Sequence, residues 1–201
     1  MQIRIDIIDK NCYMHIREKI TKFTGAKMKK FSFATATILV ALSASMVLGA
    51  GGQKKEKKGI VWLNFPQAIA KAKKENKMIV VDFYTDWCTW CKVMDEKTYG
   101  ANEIIDFARK KLIMAKVNAE SKDKVKFKEN EYTYEQLAQA FGVTGYPSTI
   151  FLGPNGEFLT SVSGYIPPDH FLPILEFLEG KHYQKMKFEE YLKKRKAGAK
   201  S

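Results

Sequence analysis

Cysteine is scarce in this chain of 201 residues: only Cys12, Cys88 and Cys91. That number excludes a scaffold held by many disulfides. A structural zinc site is excluded too, because it needs four ligands, usually a second C-x-x-C or paired histidines. His15, His170 and His182 are scattered and supply no such pair. Covalent haem attachment requires histidine directly after the second cysteine, and Lys92 stands there. No metal or other cofactor is therefore expected. Acidic residues are also in deficit, 22 against 34 Lys+Arg, for a net charge of +12. The basic runs at 54–58, 71–77, 122–128 and 193–196 have no nucleic-acid reading element beside them. They are expected to be solvated faces and tails, and no nucleic-acid partner is expected. Weak attraction to anionic surfaces stays open. Internal repeats are absent. With 45% hydrophobic and 28% charged residues, the chain suits one soluble domain plus extra segments.

One long uncharged stretch exists, and it lies near the N-terminus. Met28-Lys29-Lys30 is a short positive segment, Ala34–Leu48 is rich in Ala, Leu, Ile and Val, and small residues follow at Gly49–Gly52. This is the layout of an export signal, best matched if translation starts at Met28. Residues 1–50 are read as a leader, with Cys12 absent from the working protein. Left uncleaved, Phe31–Ala50 is long enough to anchor the chain in a membrane, the one membrane contact expected. Cleavage is the preferred reading, giving a periplasmic or otherwise exported protein.

What is present is a pair of cysteines in a telling place. The run Trp87-Cys88-Thr89-Trp90-Cys91-Lys92 follows an apolar strand pattern, Met78–Tyr84, and opens a helical one. A thiolate is the reactive form of cysteine, and the free N–H groups and dipole of a helix N-terminus favour it. Two cysteines three apart there can form a disulfide with each other or exchange it with a partner. A short structural disulfide would explain the cysteines but not the strand before them. Redox chemistry is the expected function. In an exported protein with no other cysteine, the pair would act on other proteins' disulfides.

A linker, 51–59, leads into the expected domain, 60–180, with a C-terminal helical extension at 181–201. Periodicity and turn chemistry predict a short edge strand at 60–62 and a helix capped by Asn64 with Pro66 in its first turn. Strand 78–84 follows, then helices at 88–97 and 101–110 and a buried strand at 112–118. The stretch 119–131 reads as a polar surface excursion, and 132–141 as a helix stopping at Gly142. Gly153-Pro154-Asn155-Gly156 joins strands 148–152 and 157–163 as a hairpin. An apolar-striped helix starts at Asp169, with Phe171, Leu175 and Leu178 as core, and an amphipathic segment spans 183–196. His170 and His182 are read as surface helix residues. The order βαβ, helix, β-hairpin, helix gives an α/β class with a central mixed sheet flanked by helices.

Four ordered stretches together resemble the thioredoxin-like superfamily over about Asn64 to Leu178. They are the Val81–Lys92 segment, Ala115-Lys116-Val117-Asn118, Gly142–Thr149, and Asn155-Gly156-Glu157 with Gly164. Within the superfamily the run from Asp86 through Asp95, and the insertion at 119–131, are most similar to the C-terminal thioredoxin-like domain of DsbD-type membrane electron transporters and to small exported relatives. No transporter portion is present. The resemblance implies a thioredoxin-like fold and thiol–disulfide oxidoreductase activity. It makes Cys88 the attacking thiolate and the more exposed of the pair, and Cys91 the resolving cysteine. Asp82 would be a buried carboxylate that exchanges a proton with Cys91, with Lys116 as its basic neighbour. Pro147 would be cis, exposing the Tyr146 backbone to an extended substrate segment, with Trp87 flanking the sulfurs. Thr89-Trp90 replaces the family's common Gly-Pro, so Trp90 and Tyr146 are expected to line the substrate site and tune acidity. Implied partners are disulfide-containing or dithiol proteins and a membrane electron donor. A net disulfide-forming oxidant, and a non-catalytic binding module or chaperone, remain as alternatives.

Overall fold

A computed structural model describes residues 59–198. The leader, the Met28 start, Cys12 and nearly all of the linker lie outside the described residues.

The chain begins with a two-residue strand β1 (Trp62–Leu63) and helix α1 (Phe65–Glu75). Asn64 caps that helix, its Oδ1 accepting from the Gln67 N–H at 2.9 Å, and Pro66 occupies the first turn, where a missing N–H costs nothing. Asn76, in the left-handed region at φ 52°, ends it. Strand β2 (Met78–Tyr84) leads to the cysteine turn and α2 (Thr89–Val93), which continues as a π-helical turn over Met94–Thr98. The single helix expected at 88–97 is thus two hydrogen-bonding patterns in series. Helix α3 (Asn102–Lys111) and strand β3 (Leu112–Asn118) follow.

Five strands form the main sheet in the order β1-β3-β2-β6-β7, with β6 (Ser148–Leu152) and β7 (Phe158–Ser163) closing it. β1, β3 and β2 run parallel; β6 is antiparallel to β2 and to β7. The turn between β6 and β7 carries Gly156 at φ +75°, which glycine adopts without steric cost. This is the mixed sheet of a thioredoxin-like fold. β2 lies at its centre, buried on both faces, which explains its apolar run, interrupted only by Asp82. On one face Ile79, Val81 and Phe83 join Phe65, Ala68 and Leu137; on the other Val80, Met114 and Phe151 join Met94, Tyr99, Ile104 and Ile174. The cysteine helix and α5 (Pro168–Glu179) therefore share the second face.

Three sequence expectations need correction. The 119–131 excursion contains a second sheet, β4 (Lys124–Phe127) paired with β5 (Asn130–Thr133). Val125 is buried, and Phe127 packs edge-on against Phe65 at 5.2 Å, so the insertion contributes to the core. Helix α4 (Tyr134–Ala140) begins later than 132 because Thr133 is its cap, exchanging hydrogen bonds with Gln136 in both directions. His182 is no free surface residue: in the 3₁₀ turn His182–Gln184 its ring stacks on Phe177 at 6.5 Å and on Tyr191 at 4.9 Å. Tyr191 belongs to α6 (Phe188–Gly198), which docks on α5 through Phe177 and through Arg195 and Tyr191 bonding Glu176. His170 is exposed, and Phe171, Leu175 and Leu178 are buried. Among the described residues no helix is long and apolar enough to cross a membrane.

Candidate active site

β2 ends at the sheet edge where β6 begins, since Phe83 faces Ser148 across the antiparallel pair. The cysteine turn and the Tyr146–Pro147 segment therefore meet at the same end of the sheet. Cys88 and Cys91 are joined by a disulfide, with Cα atoms 5.3 Å apart. Cys88 is the N-cap of α2, and the Cys91 N–H donates to its Sγ at 3.0 Å. A helix N–H aimed at sulfur stabilises negative charge there once the bond is reduced. Exposure does not separate the two cysteines, at 4% and 3%; Cys88 was expected to stand out. Both are seated in the fold, at the cap and in the first turn of α2.

Asp82, the one carboxyl in β2, is 1% exposed. It pairs in register with Lys116 on β3, and Lys116 Nζ stands 3.8 Å from Asp82 Oδ2. Lys116 also forms an ion pair with Asp95, on the π-helical turn after Cys91, and packs over the rings of Trp62 and Tyr84 at 5.2 and 5.1 Å. Asp82 Oδ1 has no hydrogen-bond partner among the described residues. Burial pushes this carboxyl up to about 7; the Lys116 charge opposes the rise, Asp95 adds to it, and the nearby Tyr99 hydroxyl helps to restrain it. Tyr99 is itself buried next to Asp82, and burial together with that carboxylate holds its phenol well above the usual range. A buried carboxyl that changes protonation near neutrality can take up or release a proton there.

The rim is aromatic. Trp87 is 66% exposed and donates its Nε1–H to Glu120 at 2.9 Å, with its ring edge-on to Tyr146 at 6.0 Å. Burial and then the charges of Glu120 and Glu135 raise the Tyr146 phenol. The Tyr146–Pro147 peptide bond is cis. Pro147 is tied to the next strand by the Gly164 N–H, which donates to its carbonyl at 2.8 Å. Trp90, 59% exposed, leans on Tyr165 at 5.6 Å.

Asp82 and Lys116 form one cluster with Asp95 and Tyr99 at the π-helical turn that follows Cys91, and Trp87, Trp90, Tyr146 and Pro147 lie at the same end of the molecule. Sequence reasoning did not assign Asp95, Tyr99, Glu120 or Tyr165. Asp95 had a signal, four residues after Cys91 on the helix; Tyr99, Glu120 and Tyr165 reach the site only through tertiary packing.

Fold and site together define a thioredoxin-like protein carrying a C-x-x-C disulfide. Residues 65–179 match the family described as a thioredoxin-like domain, over half of the chain, and the protein belongs to that family. The disulfide bond reductase DsbH of Chlamydia pneumoniae is 29% identical over 107 residues, 53% of this chain and 63% of that protein. The thiol:disulfide interchange protein DsbD of Campylobacter jejuni (strain RM1221) is 30% identical over 114 residues, 56% of this chain and 18% of that one. The chain therefore spans less than two thirds of these relatives. A thioredoxin-fold protein from Helicobacter pylori superposes with a TM-score of 0.53 at 25% identity, covering 60% of this chain and 80% of that one.

Proposed function

We propose that the protein is an exported thiol–disulfide oxidoreductase, its domain at 60–180 acting mainly as a reductant. The observation that carries this is the Cys88–Cys91 disulfide at a helix N-terminus, with the Cys91 N–H on Cys88 Sγ. In the reduced form the Cys88 thiolate attacks a substrate disulfide, forming a mixed disulfide and expelling one substrate thiolate. Asp82, with Lys116 holding its charge in check, takes the Cys91 proton; the Cys91 thiolate then attacks Cys88 Sγ and expels the second substrate thiolate. Two electrons pass from protein to substrate, and the two released thiolates take up protons. An extended substrate strand pairs with the Tyr146 backbone beside Pro147 and lies against Trp87 and Trp90.

The partners are proteins with accessible disulfides and a membrane donor that restores the dithiol. The relatives named as a reductase and as interchange proteins support this assignment. The described part of the extension, 181–198, braces α5. Export rests on the leader at 1–50, and mass spectrometry is expected to find a mature N-terminus between Gly49 and Lys54; an intact Phe31–Ala50 segment overturns it.

Insulin reduction with dithiothreitol tests the activity. The protein accelerates it, and Cys88→Ser abolishes the acceleration; turnover surviving in Cys88→Ser refutes the assignment. The potential of the Cys88/Cys91 couple tests direction: a value near the oxidising extreme, about −120 mV, makes the protein a net oxidant instead.

A further inference from the structure

The strands fix which segments share an end of the sheet. β2 and β3 start level, Met78 beside Leu112, and β6 finishes there too, Leu152 near Ile79. α1 runs into that start through Asn76 and Lys77, and α3 through Lys111. α5 sets out from the Pro147 end and finishes at Glu179, whose carboxylate meets Lys111 at 3.6 Å. Three helix C-termini therefore gather at the end opposite the cysteines, a strand length of about 23 Å away.

Their last turns are basic: Lys73 and Lys74 on α1, and Arg109, Lys110 and Lys111 on α3. Lys181 and Lys185 flank the 3₁₀ turn after α5, and Tyr183 in that turn lies within electrostatic reach of Glu157 beside the β6–β7 turn. The carboxylates of this end are already engaged. Glu75 pairs with Lys77 and Lys71, Glu179 with Lys111, and Glu157 accepts from the Asn155 N–H. Glu176, one turn back, holds Arg195 and Tyr191. Lys73, Lys74, Lys110, Lys181 and Lys185 are exposed, and their ammonium groups have no partner among the described residues.

A helix C-terminus favours a nearby cation, which accounts for a lysine on each helix. It accounts neither for five left without counter-charge at one end nor for Val61. That side chain is 64% exposed where the chain enters β1, on the Leu112 side of the Trp62–Met114 pair. The basic run Lys54-Lys55-Glu56-Lys57-Lys58 stops three residues before it in sequence. At the cysteine end, by contrast, Asp86 and Glu120 are exposed acids. Free ammonium groups from three separate elements, beside an exposed apolar side chain, match a broad anionic plane.

We propose that this end of the molecule docks on anionic phospholipid, holding the cysteines away from the bilayer and open to proteins in the aqueous phase. The docking goes beyond the redox chemistry and needs no redox step.

The test uses protein beginning at Gly51, which keeps the fold because both core clusters lie within residues 60–191. Its sedimentation with phosphatidylcholine vesicles carrying about 30% phosphatidylglycerol is compared with pure phosphatidylcholine. Binding is expected on the anionic vesicles only, and it should weaken steeply as salt rises. Each free lysine is worth about fivefold, so Lys73→Gln/Lys74→Gln and, separately, Lys181→Gln/Lys185→Gln should each weaken binding about twentyfold. Lys92→Gln/Lys122→Gln removes the same charge at the cysteine end and should change binding by less than about threefold. Acrylamide quenching of the exposed indoles Trp87 and Trp90 should be the same on and off the vesicles. Near-ultraviolet circular dichroism confirms that each variant is folded, and either far-end pair suffices. No preference for anionic vesicles, an equal loss in all three pairs, or a fall in indole quenching on binding overturns the proposal. Binding to polyglutamate with none to vesicles also overturns it and gives this face to an acidic protein.

Discussion

Replacing Asp82 by asparagine gives the sharpest prediction, because one buried carboxyl sets both its sign and its size. The group titrates near 3.8 in an unfolded chain and near 7 in the fold. Between those values the native state holds a proton that the unfolded state has released, so native stability falls as pH rises. Each pH unit across that window removes a little over 1 kcal/mol, for roughly 4 kcal/mol in full and roughly 2 to 3 kcal/mol between pH 5 and pH 8. Asp82 is fully buried, so solvent screening does not reduce the effect. The oxidised protein is the right material, since the disulfide keeps both cysteines from titrating. Guanidinium unfolding at pH 5 and pH 8 would be followed by intrinsic fluorescence for wild type and Asp82→Asn. The histidines are common to both proteins and cancel in the difference. Wild type should lose roughly 2 to 3 kcal/mol more than the variant over that interval, with the variant gaining relative stability at pH 8. Parallel curves for the two proteins would refute a carboxyl raised by burial, and with it the proton-transfer role.

Three further outcomes follow from the same geometry. Cys91→Ser removes the resolving thiol, so a covalent complex with substrate should accumulate on non-reducing gels and disappear with dithiothreitol; no trapped complex would deny Cys88 the attacking role. Asp95→Asn removes an anion that raises Asp82 and should lower its titration midpoint, whereas Lys116→Met removes the opposing cation and should raise it; carbon-detected NMR of the carboxyl reads both. Thr133→Ala removes the hydroxyl that accepts from the Gln136 N–H at the start of α4 and should cost about 1 kcal/mol in denaturant unfolding, with the Cys88/Cys91 potential unchanged.

Much of the molecule is legible in its residues because the relevant signals are local. Asn64 with Pro66 marks the start of α1, and the apolar run Met78–Tyr84 marks a strand buried on both faces. Gly153 to Gly156 marks the closing hairpin. The β4–β5 hairpin was illegible because its turn, Lys128-Glu129, lacks the glycine or asparagine that usually advertises a hairpin, although Lys128 takes φ 55°. His182 looked like a surface residue because nothing near it in sequence announces the ring of Tyr191, nine positions on, that α6 folds back against it.

The spacing of Cys88 and Cys91 behind a strand was enough, with no tertiary information, to specify a redox pair at a helix N-terminus, since helix geometry alone brings residues three apart together. The charge state of Asp82 could be assigned only in the folded molecule. Desolvation by the layers above and below β2, the distance to Lys116 on a neighbouring strand, and the presence of Asp95 and Tyr99 all depend on contacts far apart in the chain. The same holds for Trp90 and Tyr165, seventy-five residues apart, which meet because β7 ends where the cysteine helix begins.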